Sequence, residues 1–224
     1  MRVSAIIAVY NGADRLGAAM DSVLAQQLSP FEIIIDDDGS TDTTPDVIRY
    51  YGASVRAFRQ SNAGLSAAHN LALQQATGDA VAVLDHDDLW PSDRLAAMVK
   101  RLQSDDRIDI VAGQVKVELE GESVIAARKP EKYATTHRPW MVHSLLIRRQ
   151  VFDRIGPFDT TFTHGMDVDW YMRAREAGVQ YAFAPEVSLI YRLHDTNMTS
   201  DVTAMFHGTL GAFKNALDRR RLAK

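Results

Sequence analysis

Two short runs of acidic residues hold most of the groups in this chain that could do chemistry. The run Asp85-His86-Asp87-Asp88 places three carboxylates within four residues. Like charges this close repel unless a cation or strong hydrogen-bond donors compensate them. Carboxylate oxygens suit Mg²⁺ or Mn²⁺, which keep positions open for water and substrate phosphates. This run therefore predicts a divalent metal site, and the alternative is a solvated loop in which Asp87 or Asp88 caps the next helix.

The second acidic run covers residues 36–42, with the sequence DDDGSTD. Asp, Ser and Thr are common in turns and helix caps, so part of this run is expected to be structural. A buried carboxylate at the end of a strand can also accept the ring N–H of uracil, thymine or guanine. Clustered acids occur as well in the phospho-acceptor pockets of signalling domains, but those domains are considerably shorter than this chain.

The elements around these runs alternate between strand and helix in the first half of the chain. Apolar runs predict strands over 3–10, 31–35, 55–58 and 80–84, and helical spacing of apolar residues predicts helices starting near Leu16, Thr44, Leu65 and Ser92. Such alternation indicates a parallel sheet covered by helices on both faces. Ligands of such sheets bind at the carboxyl ends of the strands. Both acidic runs follow a predicted strand, so they are expected at that edge.

The pattern changes after residue 107. It predicts a hairpin from 108–119 and 124–127, an irregular loop over 128–139, a strand over 145–147, and helices over 150–155 and 167–177. A closing amphipathic helix ends in basic residues, and its apolar face contains Val202, Phe206, Leu210, Phe213 and Leu217. That face predicts either docking on the core of this chain or contact with a membrane surface or with a partner, such as a second copy of this chain in a homo-oligomer.

The composition excludes several classes of protein. Lys and Arg total 25 against 29 Asp and Glu, and this net charge of −4 gives no general attraction to nucleic acid. The 224 residues include no cysteine, which excludes disulfide frameworks, thiolate metal sites and cysteine nucleophiles. No apolar run approaches the roughly 18 residues that a membrane span requires. We therefore expect a globular cytoplasmic protein, with any membrane contact peripheral and at the inner face.

The order and spacing of the motifs resemble family 2 glycosyltransferases. The segments IIAVYNG, FEIIIDDDGSTD, SNAGLSAAHNLAL and LDHDDLW are followed by GMDVDWYMRAREAG and YRLHDTNMTS. The resemblance covers roughly 3–97 and 144–200. It implies the A-type glycosyltransferase fold, a single α/β domain with a mixed, mostly parallel sheet flanked by helices. We expect a donor half over 1–107, an acceptor half over 108–200 and the amphipathic helix over 201–224.

The resemblance also implies roles for individual residues. Asp85 and Asp87 match the acids that hold Mn²⁺ or Mg²⁺ at the donor diphosphate, Asp88 matches their usual neighbour, and His194 resembles a late histidine that completes the site. Asp167 matches the general base that acts on the acceptor hydroxyl, and Asp169 is the alternative base. Asp38 resembles the aspartate that bonds the nucleotide base. The other expected donor-binding residues are Ala8, Val9, Tyr10, Asn62, Gly64 and His86.

These matches predict a metal-dependent, inverting glycosyltransferase that uses a nucleoside-diphosphate sugar, with a UDP-sugar favoured. Its acceptor would be a hydroxyl of a glycan, a lipid-linked sugar or another molecule, as in the synthesis of cell-surface polysaccharide. Three positions depart from the family pattern, since Ala8 replaces a proline, His69 an arginine and Met166 a glutamate. The last two keep a non-catalytic sugar-nucleotide-binding module open as an alternative. A sugar-1-phosphate nucleotidyltransferase would instead carry a glycine- and arginine-rich loop at residues 10–13.

Overall fold

The computed structural model describes residues 1–121 and 135–222. Its strands are β1 (Val3–Val9), β2 (Glu32–Asp37), β3 (Arg56–Arg59), β4 (Ala80–Asp85), β5 (Ile110–Leu119), β6 (Thr136–His137), β7 (Leu145–Arg148) and β8 (Tyr181–Leu193). Its α-helices are α1 (Leu16–Leu24), α2 (Thr44–Tyr50), α3 (Leu65–Gln75), α4 (Arg94–Gln103), α5 (Arg149–Ile155), α6 (Met166–Glu176) and α7 (Val202–Leu222).

These strands form one mixed sheet in the order β3-β2-β1-β4-β7-β5-β6, and β8 pairs with β5. Strands β1 to β4 run parallel to one another, as do β5 and β8. Strand β7 is antiparallel to both β4 and β5, and β6 is antiparallel to β5. The prediction of a single α/β domain with a mixed, mostly parallel sheet is therefore confirmed.

Strand β1 lies in the middle of the sheet, and all of its residues are buried. Ile7 faces a core made with α1 and α4, whereas the neighbouring Ile6 faces a second core made with α3, α5 and α6. Because successive side chains of a strand point to opposite faces, a strand covered on both faces reads as a continuous apolar run. This layering places the loops after β1, β2 and β4 together at one edge.

Strand β8 has no counterpart among the predicted elements. Its sequence contains Pro185, and a proline within a run argues against a central strand because it cannot donate to the hydrogen-bond ladder. The structure accommodates Pro185 where the register with β5 shifts, between the pairs Ala112–Phe183 and Gln114–Val187. A bulge of this kind absorbs extra residues without ending the strand.

Other boundaries also differ from the sequence prediction. Strand β2 continues through Asp36 and Asp37, so these residues belong to the sheet and not to a turn. Strand β5 pairs with β6, β7 and β8, while the predicted hairpin partner 124–127 lies outside the described residues. Of the predicted loop 128–139, residues 128–134 also lie outside them, and the remainder contains β6.

Helix α7 packs on α6 through its small residues. Ala212 and Ala216 are buried, and a Cβ at Gly208 would lie 2.2 Å from the carbonyl oxygen of His164. The predicted apolar face is exposed instead, at Val202, Phe206, Leu210, Phe213 and Leu217. The interpretation that this face docks on the core of the chain is therefore wrong, because close backbone approach selects the small-residue face. Among the described helices, none combines the length and apolarity needed to cross a bilayer.

Candidate active site

A cavity of about 760 Å³ opens at the edge where β1, β2 and β4 end. Residues from the start of α6 and from the turn after β8 complete its wall. Of the residues to which the sequence assigned donor binding, metal binding or catalysis, all but the alternative base Asp169 line this one cavity: Ala8, Val9, Tyr10, Asp38, Asn62, Gly64, Asp85, His86, Asp87, Asp167 and His194.

Asp38 organises the loop that precedes α3. One of its carboxylate oxygens accepts hydrogen bonds from Gln60 Nε2 at 2.7 Å and Ala63 N at 2.9 Å. The other accepts from Gly64 N at 2.8 Å. Gly64 has a φ of 89°, a conformation that favours glycine. These contacts hold residues 60–64 against the end of β2, beside the position at which a nucleotide base is expected.

The other acids of this run behave differently from Asp38. Asp37 accepts the Ser40 N–H at 2.8 Å and lies 3.4 Å from an Arg59 guanidinium nitrogen. Asp36 is fully buried, and neither of its oxygens has a hydrogen-bond partner among residues 1–121 and 135–222. Burial raises the pKa of Asp36 to about 7, and the charges of Asp38 and Asp37 add to the rise. Within this run, Asp38 therefore holds the following loop through hydrogen bonds, whereas Asp36 is in surroundings that favour its neutral form.

Three carboxylates meet at the end of β4. Asp85, Asp87 and Asp88 each offer an oxygen, and these oxygens lie within 4.8 Å of one another. Asp88 is buried, and its Oδ2 has no hydrogen-bond partner in the described part of the chain. Burial raises the pKa of Asp88 well above its usual range, and the charges of Asp87 and Asp85 act in the same direction. A set of hard oxygen donors with one unsatisfied buried oxygen fits Mg²⁺ or Mn²⁺.

The turn after β8 reaches Asp87 from the other side of the cavity. His194 Nε2 lies 3.2 Å from Asp87 Oδ2, and Asn197 Nδ2 donates to the same oxygen at 3.2 Å. The backbone N–H of Arg192 donates to Asp88 Oδ1 at 2.9 Å. The structure therefore brings His194 to the acidic cluster, as predicted. Asn197 was not singled out from the sequence, although it follows His194 by three residues within the matching segment.

Two histidines flank Asp85, and sequence reasoning assigned a site role to neither. His143 Nε2 lies 3.1 Å from Asp85 Oδ2, and His69 Nε2 lies 3.5 Å from Asp85 Oδ1. Burial tends to lower the pKa of His143, but the charges of Asp85, Asp88 and Asp167 outweigh it and raise the pKa to about 9. The raised pKa favours the protonated, positively charged form of His143 beside Asp85.

Asp85 and Arg94 both help to hold His143 in place, Asp85 through its charge and Arg94 through hydrogen bonds to the backbone. Burial tends to raise the pKa of Asp85, but the charge and contacts of His143 and His69 hold it well below its usual range. Arg94 is fully buried and donates from one guanidinium nitrogen to the carbonyl oxygens of His143 and Leu145, each at 2.9 Å. These bonds hold the segment that carries His143.

Asp167 lies in the first turn of α6 and faces the cavity. Its Oδ1 accepts the N–H of Val168 at 2.9 Å. Burial raises the pKa of Asp167 and Asp85 adds to the rise, while the charge of His143 opposes it. Asp169, the alternative base, is buried away from the cavity lining and pairs with Arg173 and Arg219, at 2.8 and 3.0 Å. Of the two candidates, Asp167 is the one in the cavity.

Residues 4–173 match the protein-family model described as glycosyl transferase family 2. An uncharacterized glycosyltransferase of Rickettsia typhi is 31% identical over 88% of this chain and 66% of its own length. One from Nostoc sp. is 35% identical over 71% of this chain and 54% of its own length. The chain thus spans about two thirds or less of these relatives.

Solved structures share the fold. S. aureus TarS 1-349 in complex with UDP-GlcNAc superposes with a TM-score of 0.73 at 17% identity, over 90% of this chain and 61% of that one. The mannosyltransferase PcManGT from Pyrobaculum calidifontis, in complex with GDP-Man and Mn²⁺, also gives 0.73, at 24% identity over 97% of this chain and 64% of that one. The A-type fold expected from the sequence is therefore confirmed.

Proposed function

Because this chain belongs to glycosyl transferase family 2, we propose that it transfers a sugar from a nucleoside-diphosphate sugar to an acceptor hydroxyl, with metal dependence and inversion at the anomeric carbon. One observation carries the proposal: the acidic cluster of Asp85 and Asp87 lines the same cavity as Asp167. The reaction needs both a stabilised leaving diphosphate and a base for the incoming hydroxyl, and this cavity offers groups suited to each.

The donor side of the reaction is assigned to the residues at the ends of β1, β2 and β4. Asp85, Asp87 and His194 would hold Mn²⁺ or Mg²⁺, and such an ion, when bound, supplies Lewis-acid stabilisation to the departing diphosphate. His143 Nε2 lies 3.1 Å from Asp85 Oδ2 and, when protonated, adds positive charge there. Asp38 and residues 8–10 form the wall assigned to the base. PcManGT with its Mn²⁺ supports this assignment of the ion.

The acceptor side is assigned to Asp167. Its carboxylate takes the proton of the acceptor hydroxyl while the oxygen of that hydroxyl forms a bond to the anomeric carbon of the donor sugar. The bond from the anomeric carbon to the diphosphate breaks in the same step. A raised pKa makes a carboxylate a better proton acceptor, as general-base catalysis requires. Attack from the face opposite the leaving group inverts the anomeric configuration.

We propose a UDP-sugar as the donor. A carboxylate such as Asp38 can accept from the ring N–H of uracil or of guanine, and the similar solved structures include complexes with UDP-GlcNAc and with GDP-Man. We assign donor binding to residues 1–107 and acceptor binding to residues 108–200. The proposed role is glycan or cell-surface polysaccharide synthesis at the cytoplasmic side of a membrane. Met166, which receives a hydrogen bond from Ser66 where the family has a glutamate, favours a non-catalytic binder as the second candidate.

A thermal-shift screen of UDP and GDP, with and without Mn²⁺, tests the donor assignment. A ligand at 100 times its dissociation constant should add about 2.7 kcal/mol of stability. We expect this metal-dependent stabilisation in the wild type and in Asp93→Asn, an exposed acid outside the cavity lining, and its loss in Asp87→Asn. Uridine should bind all three proteins alike. Equal stabilisation of Asp87→Asn would contradict the metal assignment.

Release of nucleoside diphosphate from the donor separates the enzyme from the binder. A working site should hydrolyse donor slowly in the presence of Mn²⁺ and faster when an acceptor is supplied. Metal-dependent binding with no release by the wild type would favour the non-catalytic module.

A further inference from the structure

A second cavity, of about 520 Å³, adjoins the donor cavity on the acceptor side. Five residues line both cavities: Met141, Asp167, Tyr191, Thr199 and Met205. Asp167 therefore lies at the junction of the two spaces. A group in the second cavity would be next to the residue assigned as the base.

The lining of this acceptor-side cavity is apolar and aromatic. Among its described lining residues only Arg138 and Asp167 are charged, and most of the others are apolar or aromatic, among them Val117, Trp140, Met172, Leu193, Met205 and Phe213. Several of the hydroxyl groups are already engaged, because Tyr191 shares a hydrogen bond of 2.8 Å with Thr199 and Tyr171 accepts one from Arg175 at 3.1 Å. The cavity therefore offers few free partners to a ligand.

Such a lining selects against a polar occupant. A sugar that left water for this space would lose hydrogen bonds that the wall does not replace, which is unfavourable. An apolar or aromatic group gains from the same transfer because it removes apolar surface from water. Small-molecule sites combine an apolar wall with a few polar groups that orient the ligand, and Asp167 at the junction is such a group.

Resting on the proposed function, we infer that the acceptor is amphipathic, with its hydroxyl presented to Asp167 and an alkyl or aromatic body in the second cavity. Phe213 belongs both to this cavity and to the exposed apolar face of α7, where its exposure is 45%. Trp140, at 43%, also lies partly in solvent. A long apolar body can therefore extend from the cavity onto the surface of α7.

Tryptophan fluorescence provides a binding test that does not need turnover. Trp90 and Trp170 are 3% and 1% exposed, so Trp140 is the tryptophan positioned to respond. With UDP and Mn²⁺ present, octyl glucoside below its micellar concentration should shift the emission to shorter wavelength saturably, whereas methyl glucoside should not. The shift should vanish in Trp140→Phe. Equal responses to the two glycosides, or a shift that persists in Trp140→Phe, would overturn the inference.

Two exposed phenylalanines of α7 give matched variants that leave the core intact. Phe213 lines the cavity and Phe206, 61% exposed, does not. We expect Phe213→Ser to weaken octyl glucoside binding by at least about tenfold, the effect of losing apolar contacts in a fitted pocket, and Phe206→Ser to leave it within a factor of about two. Unchanged binding in Phe213→Ser would overturn the inference.

Donor hydrolysis without acceptor separates this inference from the function on which it rests. If the wild type neither binds nor hydrolyses donor, the proposed function fails. If hydrolysis is normal and the glycosides bind alike, only the amphipathic acceptor fails. Such an acceptor could be a membrane lipid or a soluble molecule, and comparing octadecyl glucoside in phosphatidylglycerol vesicles with soluble octyl glucoside distinguishes the two. A preference for the vesicles identifies a membrane lipid, and a preference for the soluble glycoside identifies a free aglycone.

Discussion

Replacing Asp36 with Asn should change how the stability of this protein depends on pH. Asp36 lies in β2, pairs in register with Ala8 of β1 and Phe58 of β3, and is fully buried. Its oxygens have no hydrogen-bond partner within the described ranges. The folded state therefore favours the neutral carboxyl, and the pKa of Asp36 rises from 3.8 to about 7.

The sign and size of the effect follow from this difference. Between pH 4 and 7 the folded state holds a proton that the unfolded state has released, so stability falls as pH rises. Above pH 7 Asp36 is ionised in the folded state as well, and the loss of folding stability is then complete. At about 1.4 kcal/mol for each unit by which the pKa is raised, this loss amounts to about 4 kcal/mol. Between pH 5 and pH 8 the wild type should lose about 2 to 3 kcal/mol through this group alone. Asp36→Asn removes that loss, although its buried amide costs about 1 to 3 kcal/mol at every pH.

Urea unfolding at pH 5, 6, 7 and 8 measures the difference between the variant and the wild type. We expect the free energy of unfolding of Asp36→Asn, relative to that of the wild type, to rise by about 2 to 3 kcal/mol from pH 5 to pH 8. Asp93→Asn, which replaces an exposed acid outside the sheet, is the control, and its free energy of unfolding should run parallel to that of the wild type from pH 5 to pH 8. Parallel curves for Asp36→Asn and the wild type would refute the reasoning.

Three further substitutions probe the site. Asp167→Asn should keep donor affinity and stability but lower turnover at saturating donor by about 10²- to 10⁴-fold, and transfer within a factor of about three of the wild type would remove Asp167 from the mechanism. Gly165→Ala should destabilise by about 1 to 3 kcal/mol in thermal unfolding, because its φ is 80° and the new Cβ would lie 2.8 Å from the backbone of Gly208. Arg94→Met should cost about 2 to 4 kcal/mol in urea, since it leaves two buried carbonyl oxygens, one of them on His143, without their donor; a loss below 0.5 kcal/mol, by the usual scale of surface substitutions, would contradict that account.

The elements predicted correctly are those whose local pattern and tertiary environment agree. The apolar runs that became β1 and β4 lie in the centre of a sheet covered on both faces, so every side chain in them up to Leu84 is buried. The acids at the ends of β2 and β4 lie at one edge of the sheet because the carboxyl ends of parallel strands coincide there. Their convergence could be predicted without knowing any distance.

The features that were missed depend on contacts between distant parts of the chain. Pro185 argues locally against a strand, and only the bulge opposite β5 makes β8 possible. His143 precedes a short strand and has no motif of its own, and its role appears only when β7 packs beside β4 and places it next to Asp85. The side of α7 that packs on α6 was misjudged because periodicity reports apolar surface, whereas this contact requires small residues.

The contacts that complete the acidic cluster join residues more than a hundred positions apart in the chain: 104 from Asp88 to Arg192 and 110 from Asp87 to Asn197. Closing a loop of that length lowers the conformational entropy of the chain before the contact itself contributes stability. Such contacts are therefore expected to form late in folding. During synthesis, the acids of residues 85–88 leave the ribosome long before the turn that holds them. The cluster is therefore complete only when β8 has docked, so binding of the proposed metal would report that the whole domain has folded.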